Sequence, residues 1–221
     1  TDEQQMQFLN IAKHRYYNEV YQILLSTGMR IGELTALQWD DIDFENKEIH
    51  IRHSMQSAYL NGKKILNMTT PKTSNSIRDI PMFDGVEKLF VFWKEKQDKA
   101  KKELGRRWRL PKEFENLVFT SSLGSPLTRY VLSNDINKIV SILNKNEEYL
   151  AEQENRVPKK FPKLHPHSFR HTFATRCFEK NLKPVFIMSI MGHSNYETTL
   201  SYTHLLKKSN DQQVSLAGSF V

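Results

Sequence analysis

Residues 164 to 172 read Leu164-His165-Pro166-His167-Ser168-Phe169-Arg170-His171-Thr172. His167 and Arg170 are three apart, which at the start of a helix puts both near one edge. An exposed helix N-terminus also favours an anion. Three histidines this close could instead hold a metal. No Asp, Glu or Cys accompanies them at familiar ligand spacing, however. A purely structural histidine cluster is a third reading. One helix later comes Gly192-His193-Ser194-Asn195, by itself a glycine helix stop with a capping pair. Tyr202 follows in Tyr202-Thr203-His204, on the next helical stretch. A tyrosine at helical spacing is ordinarily half-buried packing, yet its phenolate can be a nucleophile. Arg30 stands between a glycine turn at Gly28 and the carboxylate of Glu33, a setting that could orient its guanidinium. Lys72 sits in the turn Pro71-Lys72-Thr73-Ser74-Asn75-Ser76, where most lysines are simply solvated.

The elements that would carry these residues can be read from pattern. Thr1 caps a first helix with Asp2 and Glu3 in its first turn. Phe8, Ile11 and Ala12 give it a helical apolar spacing. A second helix carries Tyr21, Leu24 and Leu25 and stops at Ser26-Thr27-Gly28, where glycine permits the turn. Ile31, Leu34 and Leu37 restart a short helix. Ile49 and Ile51 alternate with His50 and Arg52, as in a half-buried strand. Asn61-Gly62 signals a hairpin, with residues 63–69 returning and residues 77–80 forming a third strand. The spacing predicts one small three-stranded antiparallel sheet in an otherwise helical, α+β protein. Val86, Leu89, Phe90 and Trp93 form a helical stripe. The charge-dense stretch 94–109 reads as a solvated helix and loop, with a DNA-facing surface as the alternative. Residues 117–119 are briefly extended. Leu132, Ile136, Ile139, Val140 and Leu143 mark a helix, and the polar stretch 144–163, with Pro158 and Pro162, reads as a loop or insertion. Helices are expected over 168–179, 185–191 and 195–206, followed by a polar tail.

Composition narrows the class. The 221 residues carry 32 Lys and Arg against 25 Asp and Glu, a formal charge of +7. Such a surplus permits an anionic partner such as nucleic acid without proving one. The single cysteine, Cys177, excludes an internal disulfide framework. No run of about 18 apolar residues offers a membrane span. The first residue is Thr1, not Met, which suggests a processed chain or an excised domain.

Taken in order, Thr27-Gly28-Met29-Arg30-Ile31-Gly32-Glu33-Leu34, Thr70-Pro71-Lys72-Thr73, His167-Ser168-Phe169-Arg170-His171-Thr172, Gly192-His193-Ser194 and Tyr202-Thr203-His204 form a specific set. The set resembles the catalytic domain of tyrosine recombinases, most of all the integrases of Gram-positive conjugative transposons and temperate phages. The resemblance spans nearly the whole chain, from about residue 1 to His204. It implies a catalytic domain over 1–206 and a C-terminal tail over 207–221 that could pack on a neighbouring protomer. Phe169 and Met191 stand where leucine is commoner in the family, and both remain apolar.

The resemblance also implies roles. Arg30 and Arg170 would be the two catalytic arginines, Lys72 the β-hairpin lysine, and His167 the histidine of the His-x-x-Arg motif. His193 would fill the position held by histidine or tryptophan, and Tyr202, nine residues on, would be the nucleophile. The implied activity is DNA strand cleavage and rejoining through a 3′-phosphotyrosine, with no cofactor and no metal. The implied partners are double-stranded DNA at attachment sites, a tetramer on synapsed DNA, and an accessory excision or architectural protein. A bacterial cytoplasmic location goes with these. An N-terminal core-binding domain would precede this segment. Two alternatives stay open: a type IB topoisomerase, which relaxes DNA by the same chemistry, and a basic DNA-binding module without catalysis.

Overall fold

The computed structural model describes residues 1–60, 62–70 and 76–192. Thr1 opens the first helix, α1 (Asp2–Ala12), with a reciprocal cap: the Gln4 N–H donates to Thr1 Oγ1 while the Thr1 ammonium donates to Gln4 Oε1. Helix α2 (Asn18–Thr27) buries Val20, Tyr21, Ile23 and Leu24 and ends at Gly28, whose φ is +63°. A Cβ at Gly28 would also lie 2.3 Å from the Phe173 ring. Glycine is therefore required there for both conformation and space. Three residues on, α3 (Ile31–Ala36) begins.

The strands form two sheets, not one. β1 (Ile42–Asp43), β2 (Glu48–Ile51) and β5 (Arg78–Pro81) make an antiparallel sheet in the order β1-β2-β5. Its inner face presents Ile42, Ile49, Ile51 and Ile80 to the core. β3 (Ser54–Leu60) and β4 (Lys63–Thr69) pair with each other as a separate hairpin. The expected single sheet of β2, β4 and β5 is thus corrected. The chain leaves β2 at Arg52-His53 and returns to it only at Arg78, so the hairpin closes on itself.

Helix α4 (Asp84–Leu104) places Val86, Phe90, Trp93 and Gln97 inward at helical spacing. The lysine-rich remainder of the helix is largely exposed, as both the solvated and the DNA-facing readings of 94–109 require. Trp93 Nε1 donates to the Val118 carbonyl at 2.7 Å, and Gln97 Nε2 donates to the same oxygen at 2.9 Å. Helix α5 runs Arg129–Gln153, ten residues into the stretch expected to be a loop. Glu147, Leu150, Ala151 and their neighbours are good helix formers, and the first proline comes only at 158. α6 (Pro166–Glu179) and α7 (Pro184–Met191) complete the described fold, each opened by a proline in its first turn. Phe8, Tyr21, Phe90, Trp93, Phe119 and Phe169 join α1, α2, α4 and α6 in one core. The expected helix over 195–206 and the tail lie outside the described residues.

Candidate active site

The α2–α3 turn, the start of α6 and the end of α7 meet at one place. Arg30 lies just past the Gly28 turn in extended conformation, as the cap of α3. Its backbone N–H donates to Glu33 Oε2 at 2.8 Å, and its Nη1 donates to Glu33 Oε1 at 2.8 Å. One carboxylate thus caps the helix and orients the guanidinium, as the sequence spacing suggested. Nη2 donates to the Gly192 carbonyl at 2.9 Å. The side chain remains 38 % exposed and lines a cleft with Ser54, Gln56, Thr69, Thr70 and Ser76. Two of the five N–H donors of an arginine are committed to the rear; the outer face of the group turns to the cleft.

Arg170 approaches from the other side. Its position on α6 follows from Phe169, Phe173 and Ala174, which turn that face into the core. Nη1 donates to the Gly28 carbonyl at 2.7 Å and Nη2 to the Met191 carbonyl at 2.6 Å. The residue is only 2 % exposed. The two arginines grip adjacent carbonyls at the end of α7, Met191 by Arg170 and Gly192 by Arg30. The sequence motifs 140 residues apart, 30 and 170, are therefore held by a common anchor.

His167 stands on the exposed first turn of α6. Its ring meets His171 edge-on at 4.6 Å and faces His165 at 6.4 Å. Partial burial first, then the charges of His171, Arg170, His165 and Arg30, hold its pKa below the ordinary histidine value. The imidazole is therefore neutral at neutral pH and can accept a proton. The influence of both arginines on it places all three groups within electrostatic reach. Among the described residues, side chains with metal-ligand spacing converge at Glu48, His50 and Asp79 on the outer sheet face. The histidines at 165–171 form no such group.

Lys72, His193 and Tyr202 lie outside the described residues. Their chain neighbours are informative. Thr69, Thr70 and Ser76, which flank the Lys72 segment, line the cleft beside Arg30. In the sequence Lys72 falls between β4 and β5, which belong to different sheets, and not between the paired strands β3 and β4. His193 follows Gly192, the residue Arg30 holds, in the sequence.

One further residue at this place belongs to none of the sequence motifs. Arg78 donates from Nη1 to Glu33 Oε1 at 3.0 Å and from Nη2 to Glu33 Oε2 at 2.9 Å. Glu33 is 3 % exposed and its Arg78 partner 7 %. Burial pushes the Glu33 carboxyl up, but the hydrogen bonds and charge of Arg78, joined by those of Arg30, outweigh it and leave the pKa lowered. The signal in the sequence was phase: Arg78 shares the inward face of β5 with Ile80. An arginine at an inward strand position requires a buried partner.

The phage integrase family matches residues 1–209. The chain belongs to that family. Among curated relatives of this family member, a tyrosine recombinase XerC-like protein of Caldanaerobacter subterraneus subsp. tengcongensis is 28 % identical over 220 residues, covering 97 % of this chain and 52 % of the relative. The transposase from transposon Tn916 of Enterococcus faecalis is 31 % identical over 210 residues, covering 91 % of this chain and 46 % of its own. The chain thus spans about half the length of the curated relatives it matches. Among solved structures, the Tn1549 transposon integrase in complex with circular intermediate DNA aligns with a TM-score of 0.74 at 30 % identity, over 91 % of this chain and 61 % of that one. The XerA recombinase shares the fold at a TM-score of 0.66 and 18 % identity, over 96 % of this chain and 64 % of that one. The described helices include none long and apolar enough to cross a membrane.

Proposed function

We propose that this phage integrase family member is the catalytic domain of a site-specific tyrosine recombinase, residues 1–206 with a tail over 207–221. The observation that carries the reading is the convergence of Arg30 and Arg170 on the end of α7, beside His167 and a cleft. Clefts that gather fixed positive charge bind phosphodiesters. In-line attack by the Tyr202 phenolate oxygen on a backbone phosphorus forms the P–O bond of a 3′-phosphotyrosine and breaks the bond to the 5′ oxygen. His167, neutral at the start, takes the phenol proton. Arg30 and Arg170 stabilise the charge that gathers on the non-bridging oxygens, and His193 donates a hydrogen bond to one of them. Lys72 gives its proton to the departing 5′ oxygen. Attack by a 5′ hydroxyl of another strand reverses the step and rejoins DNA. The phosphodiester energy is kept in the phosphotyrosine, so the cycle requires no nucleotide cofactor. With guanidinium groups as the charge stabilisers, cleavage is expected to persist in excess chelator.

The substrate on this reading is double-stranded DNA at attachment sites, exchanged in a tetramer of full-length protomers, with an accessory excision or architectural protein and a bacterial cytoplasmic setting. Similarity to the Tn916 transposase and to a Tn1549 integrase complexed with DNA supports this substrate class. The test is a nicked suicide duplex, whose cleavage traps the covalent complex. The expected result is an adduct that maps to Tyr202 and disappears in Tyr202→Phe while DNA binding remains. An adduct of normal yield from Tyr202→Phe would refute the assignment. Relaxation of supercoiled DNA without strand exchange between two sites would favour topoisomerase activity instead.

A further inference from the structure

The last carbonyls of a helix have no partner within it. At the end of α7 three consecutive ones are taken by three arginines from three elements. Arg78 Nε on β5 donates to the Ile190 carbonyl, Arg170 on α6 to that of Met191, and Arg30 before α3 to that of Gly192. Cations at a helix C-terminus also complement its dipole. Arg78 differs from the other two. Like Arg170 it is buried and does not line the cleft beside Arg30, but it makes the bidentate contact to Glu33 that fixes the carboxylate behind Arg30. Its Nη1 additionally reaches the Ser76 carbonyl at 3.2 Å, where the Lys72 segment rejoins the sheet.

We propose that Arg78 is a positioning residue of the active site, acting through Glu33 on Arg30 and through Ile190 on the end of α7. One rigid fork joins three parts that must keep register: the guanidinium that would clamp phosphate, the helix end that leads into His193, and the strand that follows Lys72. The inference rests on the proposed roles of Arg30 and His193. A lysine at this position would keep the charge, but a single ammonium cannot span both Glu33 oxygens and the Ile190 carbonyl at once. Arg78 is 7 % exposed and does not line the cleft beside Arg30, so its loss should not act through binding.

The experiment compares this chain and its Arg78→Lys variant on the suicide duplex. It measures the duplex dissociation constant, the single-turnover cleavage rate at saturating duplex, and the side-chain ¹⁵N resonances of Arg30 without DNA, assigned with Arg30→Lys. The expected result is a rate at least tenfold lower, a dissociation constant within threefold of the parent, and loss of the restrained Arg30 guanidinium signals. A rate within twofold with Arg30 still restrained would overturn the proposal. So would a loss confined to DNA affinity, which would make Arg78 a DNA contact. If Arg78→Lys melts below the assay temperature, both proteins are compared by the same criteria at a lower temperature at which both are folded. The parent separates the two readings: without an adduct the proposed chemistry fails, while the Arg30 resonances still decide whether Arg78 positions it.

Discussion

Two buried carboxylates in this fold are gripped by guanidinium groups, Asp135 on the core face of α5 and Glu33 behind the α2–α3 turn. Asp135 receives Arg15 through Nε and Nη2 and the Tyr21 hydroxyl at 2.6 Å. Its cluster holds one cation for one anion, and the neutral tyrosine completes it. Burial and the neighbouring carboxylate push the Tyr21 hydroxyl well above the usual phenol range, so it stays a donor. Glu33 receives Arg78 and Arg30, and Arg170 grips the same helix end. That cluster carries more cations than anions, and the partly exposed one, Arg30, faces a cleft. A balanced network fastens the α1–α2 connection and α2 to α5. An unbalanced one costs more to bury and gains only when an anion arrives. The excess of charge, not the presence of ion pairs, distinguishes a binding site from a structural tie.

The comparison can be broken most forcefully at Arg170. Arg170→Ala should slow single-turnover cleavage by about 10²-fold or more, as for a lost transition-state donor. It should also destabilise the fold, because the Gly28 and Met191 carbonyls each lose a partner at about 1–3 kcal/mol. Rates on the suicide duplex and a thermal melt read the two effects separately. Asp135→Asn tests the balanced cluster. It should cost about 1–3 kcal/mol in denaturant unfolding and leave the cleavage rate of the folded protein unchanged.

The smallest effect concerns pH and sharpens the contrast between the two regions. The folded protein holds His167 and His171 below the ordinary histidine value, chiefly through burial and then through neighbouring charge. Below about pH 6.5 the unfolded chain therefore binds protons that the folded chain resists. Stability should fall modestly as pH drops through that value towards the lower folded pKa. Added duplex should reverse the sign locally, because a phosphate favours the imidazolium. Melts between pH 7.5 and 5.5, repeated with His167→Gln, measure this; an unchanged profile in that variant would place the titration elsewhere.

The described part of the candidate site is legible in the sequence because it is local. Gly28, Arg30 and Glu33 fall within one turn, and His167 and Arg170 within another, so spacing alone placed each pair. Gly192 stops α7 with φ of +62°, as a terminal glycine should. Arg78 was hidden because its partner lies 45 residues away and only the fold brings them together. The sheet was misread for a similar reason. Each strand was visible from its alternation, but pairing depends on how the chain returns from the hairpin. Residues 144–153 are helical although their polarity reads as a loop. A helix end that projects into solvent needs propensity more than an apolar face, and Glu147, Leu150 and Ala151 supply it.

On the proposed function, the surplus charge around Glu33 serves chemistry and the balanced charge around Asp135 serves the fold. The most direct test is the cleavage rate and melting temperature of Arg30→Ala beside those of Arg15→Ala, on one suicide duplex at saturation. Arg30→Ala leaves Glu33 paired with Arg78, so it should melt near the parent and cleave about 10²-fold slower or worse. Arg15→Ala should melt lower and, while folded, cleave at the parent rate. Cleavage by Arg30→Ala near the parent rate, or an equal loss of rate in Arg15→Ala, would contradict the account.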